Sequence, residues 1–144
     1  MHTLFIRKED YSAESSWRLL DWCLTRGADE FGLAVLGPPY LSETAWADID
    51  ALLAPFRRRV ASVGDRWKLT GESAAALKSV LPHGLFTYEP GEISLEDPTV
   101  YRGGKALLSI VTHEGEGVLE VRDDDDTSLQ RAGLPFHMES RWAK

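Results

Sequence analysis

The spacing of apolar positions changes along the chain from helical to strand-like. Thr3–Arg7 reads as a short first strand. Ser12 is a good N-cap, and Ala13–Thr25 then carries Trp17, Leu20 and Leu24 at helical intervals, with Leu19 and Cys23 widening the stripe. Gly27 stands where a helix-ending glycine belongs. Phe31–Leu36 is apolar on both faces, as an interior strand is, and Gly37-Pro38-Pro39 stops it. Ser42 is placed to cap a second helix. Trp46, Ile49, Leu52, Leu53, Phe56 and Val60 keep helical spacing over Glu43–Ala61. Pro55 interrupts that pattern, which predicts either one bent helix or two, Glu43–Leu53 and Phe56–Ala61. Asp65–Leu69 is a strand or an irregular connection, and Ser73–Leu81 a short alanine-rich helix ended by Pro82.

From Leu85 onward the pattern is that of strands. Leu85–Tyr88, Ile93–Leu95, Thr99–Arg102, Lys105–Val111 and Val118–Val121 are the expected elements. Gly103-Gly104 between two runs of β-formers predicts a tight hairpin with positive φ at both glycines. The HEGEG stretch, residues 113–117, reads as a polar turn. One helical turn is expected near Ser128–Arg131, capped by Asp126 or Thr127, and Leu134–Met138 as a last edge strand in which Pro135 argues for the edge. Mixed elements followed by a meander predict an α+β fold. It is a largely antiparallel β-sheet with about three helices from the N-terminal half packed on one face.

The length, 144 residues, predicts a single domain over 1–144 with a core that needs no staples. The single cysteine, Cys23, excludes an intramolecular disulfide, and the N-terminus shows no apolar signal segment, so a reducing, cytoplasmic location is expected. No apolar run reaches the ~20 residues of a membrane-spanning helix.

Charge is uneven. The net charge is −7, and residues 90–144 carry eleven acidic against six basic side chains. That half repels phosphate backbones and disfavours nucleic acid. Pro55–Leu85 is the basic exception, with Arg57-Arg58-Arg59 and nearby Trp67 and Lys68. On a helix the three arginines fan over about 200° and do not converge on one ligand.

Candidate chemistry is sparse. His113-Glu114-Gly115-Glu116 sets a histidine beside two carboxylates, a pattern for proton transfer, yet it lacks the HExxH interval of a helical zinc site. Asp123-Asp124-Asp125-Asp126 lacks the alternate spacing and glycine of a calcium loop and reads as a solvated acidic loop. No metal and no cofactor is therefore expected. Cys23 lies in an apolar stripe without a basic partner, as a buried hydrophobe does. His83 follows a helix end, where it can meet terminal carbonyls, and His137 projects from the expected edge strand. Tyr40 sits on a rigid loop, with Leu41 placed to staple onto Trp46. There is no GxSxG, Walker or GxGxxG motif.

These features point to a non-catalytic acidic module, of the antitoxin or immunity-protein kind found in bacterial cytoplasm, that docks a protein partner with a basic surface. Asp123, Asp124, Asp125, Asp126, Glu114 and Glu116 are its expected contact residues. Two other readings stand beside it. One is a small enzyme with a dispersed acid–base site among His113, Glu114, Glu116 and His83, which requires at least two of them to meet in a pocket. The other is a homodimer paired through the Leu134–Met138 edge.

Overall fold

The computed structural model describes residues 1–36, 43–58, 65–88 and 94–143. Among these residues, seven strands form one antiparallel sheet: β1 (His2–Arg7), β2 (Glu30–Leu36), β3 (Arg57–Arg58), β4 (Arg66–Lys68), β5 (Ser94–Arg102), β6 (Lys105–Val111) and β7 (Glu116–Val121), in the order β1-β7-β6-β5-β2-β4-β3. Four helices among the described residues accompany it: α1 (Ala13–Thr25), α2 (Glu43–Leu53), α3 (Gly71–Val80) and α4 (Asp125–Arg131). The expected α+β architecture is present, with one further helix from the C-terminal half.

Strand register explains why one face is buried. Leu4 lies opposite Leu119, Leu119 opposite Leu108, Leu108 opposite Val100, Val100 opposite Phe31, and Phe31 opposite Trp67. This apolar row crosses six strands, and every member is essentially inaccessible to water. Phe31 and Trp67 stack with ring centroids 5.4 Å apart. Leu20 of α1, Leu53 of α2, Leu77 of α3 and Leu129 of α4 join the same cluster. Because side chains alternate along a strand, the adjoining row points away from it. That row is Phe5, Val118, Ser109, Thr99, Gly32, Arg66 and Arg58; it turns from apolar at the β1 end to charged at the β3 end and is mostly half-buried.

Local signals set most of the boundaries. Ser12 and Ser15 form a reciprocal capping box on α1, and Thr70 with Ser73 does the same for α3, which therefore begins two residues before the expected Ser73. Ser16, Leu19, Leu20 and Cys23 form the buried centre of α1, while Trp17 and Leu24 are only half-buried. The apolar stripe is thus rotated from the expected one. Gly103 and Gly104 have φ of 59° and 80°, as the hairpin requires.

Several expectations are corrected. Phe56–Ala61 does not begin a second helix: Ala54–Phe56 is one 3₁₀ turn around Pro55, and Arg57–Arg58 pairs with β4. Pro55 cannot continue a hydrogen-bonded helix, and an unpaired β4 edge offers the following backbone partners. Leu85–Tyr88 is irregular, since its Leu85 amide donates to Ser16 Oγ and its Thr87 amide to Gly84 O instead of to a strand. The two strands expected around Asp97 are one strand, β5, which runs through Asp97 at φ 53°. Leu134–Met138 forms only a single bridge, His137 to Phe5, on the edge of β1. Helix α4 starts earlier than expected, at Asp125, so Asp126 and Thr127 lie inside its first turn and do not cap it. Gly37, Pro38, Pro39, Tyr40, Leu41, Ser42, Arg59 and Ile93 lie outside the described residues.

Candidate functional site

Two 3₁₀ turns build an open cleft of about 570 Å³. Lys8–Asp10 follows β1, and Thr112–Glu114 follows β6. The Lys8 amide donates to Gly115 O at 2.9 Å and ties the turns together. Gly115 ends the second turn with φ 64°, a left-handed conformation that suits glycine. Lys8, Glu9, Tyr11, Tyr88, His113, Glu114 and Arg141 contribute to the lining.

The C-terminal segment closes one side of the cleft. Glu116 is 5 % exposed, and its carboxylate accepts from Ser140 Oγ at 2.6 Å and from the Arg141 amide at 3.0 Å. Arg141 then reaches Glu9 with its guanidinium. The backbone amide of Glu9 and, after it, Arg141 hold the Glu9 carboxyl below its ordinary value. Tyr11 donates its hydroxyl to Pro135 O at 2.7 Å and packs on Phe86; burial pushes its hydroxyl pKa up, so it stays protonated. His137 pairs with Asp10 at 2.6 Å on the same segment.

The residues singled out in the sequence are thus partly brought together. His113 and Glu114 share this cleft, both exposed. Glu116 lies under its wall as the anchor of the tail. His83 is not among the lining residues; its amide donates to Thr87 Oγ1 in the turn after α3. Lys8, Glu9, Tyr11, Tyr88 and Arg141 carried no signal in the sequence, because they meet from three well-separated stretches of the chain.

The acidic run divides by role. Asp125 is wholly buried between Arg26, at 2.7 Å, and Arg102, at 3.1 Å. Asp124 reaches Arg26 at 3.1 Å but remains largely in solvent, Asp126 lies 3.4 Å from His2, and Asp123 is exposed. Only Asp123 and Asp124 of the four offer a substantially exposed carboxylate.

The other groups are occupied or enclosed. Arg57 pairs with Asp50 and Asp65, and Arg58 with Glu30. Trp67 is buried and has no face to offer a base. Burial pushes the Cys23 thiol up to about 12. Among the described residues, no group of three or more His, Cys, Asp or Glu is arranged to hold a metal ion, and no helix is long and apolar enough to cross a membrane. No protein-family model matches the chain, and neither a curated protein nor a solved structure does.

Proposed function

We propose that the chain is a non-catalytic cytoplasmic binding module, antitoxin- or immunity-like, that docks a protein partner with a basic surface. The observation that carries this reading is the composition and state of the cleft between the two 3₁₀ turns. It offers tyrosine, arginine and histidine on a backbone braced by hydrogen bonds, a mixture suited to protein contact. Tyr88 is 46 % exposed there, and Trp142, next to the lining residue Arg141, is 61 % exposed. Two of its ionisable side chains are engaged: Glu9 holds Arg141, and Tyr11 holds Pro135. The net charge of −7, with Asp123, Asp124 and Glu114 at the surface, favours fast capture of a cationic partner.

The test is capture of a partner from the native cell, followed by kinetics on the purified pair. Asp123→Asn, Asp124→Asn and Glu114→Gln together should slow association and flatten its salt dependence. Tyr88→Ala and Trp142→Ala should speed dissociation about ten-fold, the effect of losing ~1.4 kcal/mol at an interface anchor. A purified partner whose rates ignore both sets would defeat the assignment.

A second reading rests on His113 and Glu114 lining one cleft, the arrangement an acid–base enzyme needs. Turnover of a substrate by the native chain, lost in both His113→Gln and Glu114→Gln, would select it. A homodimer paired through the Leu134–Met138 edge loses its premise, since that segment is not a strand and His137 already occupies the Phe5 backbone. Light scattering over a range of concentrations checks this.

A further inference from the structure

The face of the sheet turned away from the apolar row carries a second cleft, of about 270 Å³, where β2 and β5 slip out of register. Gly32 pairs with Thr99, but the next pair is Ala34 with Glu96, so Leu33 on one strand and Asp97-Pro98 on the other are left over. Such bulges re-aim side chains and recur beside binding sites. Asp97 takes φ 53° here, and a non-glycine residue in that region is held there by its surroundings.

Two opposite charges line this cleft, and each is fixed by something other than its counterpart. The Arg66 guanidinium lies 3.7 Å over the Tyr101 ring. Its contact with Glu30 Oε2, at 4.0 Å, is beyond hydrogen-bond reach, and its buried Nε has no acceptor. Asp97 is clamped by Thr112: its amide donates to Thr112 Oγ1 at 2.8 Å, and its Oδ1 accepts from the Thr112 amide at 2.9 Å. Among the described residues no ion pair joins Arg66 to Asp97. The third charge of the lining, Asp65, is largely in solvent, 3.8 Å from an Arg57 that also pairs with Asp50.

A rigid cation and a rigid anion on one concave surface, held apart, complement a molecule that carries both charges. We propose that this cleft binds a free α-amino acid, its carboxylate on Arg66 and its ammonium group on Asp97. Both contacts are charge-assisted hydrogen bonds, the stronger kind. The volume is below the ~300–1,000 Å³ of drug-sized pockets, which suits a ligand this small. The proposal is independent of the partner-docking reading, which uses the other cleft.

The test is titration of the full, isotopically labelled chain with each common free L-amino acid and glycine, followed by NMR. Acetate and methylammonium serve as half-ligands. Binding of at least one amino acid at millimolar concentration or better, shifting the Arg66 Nε and Tyr101 resonances, is the expected result. Asp97→Asn keeps the shape, the positive φ and an oxygen for the Thr112 amide, and it should weaken binding about ten-fold or more by removing one charge. Arg66→Lys should do the same by removing the planar fork. Should Arg66→Lys disturb the fold, Asp97→Asn alone decides. The proposal is overturned if no amino acid shifts these resonances. It is also overturned if acetate binds as tightly as the amino acid, or if Asp97→Asn leaves affinity unchanged.

Discussion

Asp125 and Arg102 form an ion pair at 3.1 Å in which the carboxylate is 0 % exposed and the guanidinium nearly so. Arg26 meets the other oxygen at 2.7 Å, and the Arg122 amide donates to the first. The pair joins the start of α4 to the end of α1 and to the β5–β6 hairpin. Asp125→Ala leaves two guanidinium groups short of a partner. It should cost about 3 kcal/mol or more, the usual effect of breaking a buried pair from one side. The midpoint of urea unfolding measures this.

The same carboxylate predicts a pH dependence. Burial alone would raise its pKa; the Arg122 amide, Arg102 and Arg26 outweigh burial and hold it below the ordinary 3.8. A carboxyl depressed in the folded state contributes stability that is present above its unfolded pKa and lost as pH falls through the folded one. Stability should therefore decline below about pH 4, the ordinary carboxyl range. Asp125→Asn should remove that part of the slope in unfolding curves measured from pH 5 downward.

Gly84 and Gly71 should respond oppositely to alanine. Gly84 has φ 89°, and an added Cβ would lie 2.2 Å from Ser16 Oγ and 3.0 Å from Ala13 Cα. Ser16 Oγ is committed to Ala13 O and to the Leu85 amide, so it has no room to yield. Gly84→Ala should cost about 1–3 kcal/mol, as overpacking does. Gly71, the first residue of α3, has nothing within 4 Å of an added Cβ. Gly71→Ala should stabilise by about 0.4–1 kcal/mol by restricting the unfolded chain. Thermal unfolding of the two variants side by side checks the contrast.

Glu116→Ala should free the C-terminal segment while the sheet stays folded. The carboxylate accepts from Ser140 Oγ and the Arg141 amide, and losing such bonds to a charged acceptor costs about 1.5–3 kcal/mol. Hydrogen exchange at Arg141 should quicken by about ten-fold or more, whereas amides of β6 and α1 should keep their protection.

Cys23 should resist thiol reagents in the folded protein. Its side chain is fully buried, and burial pushes the thiol up to about 12, so almost no thiolate exists near neutrality. Reaction with a chromogenic disulfide should be slow in buffer and stoichiometric in urea. Rapid labelling in buffer would contradict the packing of α1.

Elements governed by neighbouring residues were readable along the chain. Ser12 and Gly27 bracket α1, and Gly103-Gly104 turn the hairpin, because capping and positive φ depend on a few adjacent positions. Readings failed where a distant partner outbid the local one. Arg57–Arg58 became a strand because Trp67 and Arg66 were there to pair with it. Leu134–Met138 stayed irregular because its polar groups are satisfied by Leu129, Tyr11 and Phe5 rather than by a ladder. Asp125 looked like one of four equivalent acidic residues, and nothing in DDDD distinguishes the one that Arg26 and Arg102 enclose.

The α+β class and the antiparallel C-terminal half follow from the order of hydrophobic, turn and capping residues, since those signals act over a few residues of backbone. The two clefts exist through long-range folding alone. Lys8, Tyr11, Tyr88, His113 and Arg141 become one cleft, and Arg66 and Asp97 another, because strand order places β1 beside β7 and β2 between β5 and β4. Sheet pairing is a long-range choice, made by the total burial of the apolar row from Leu4 to Trp67, and no short stretch of the chain contains it.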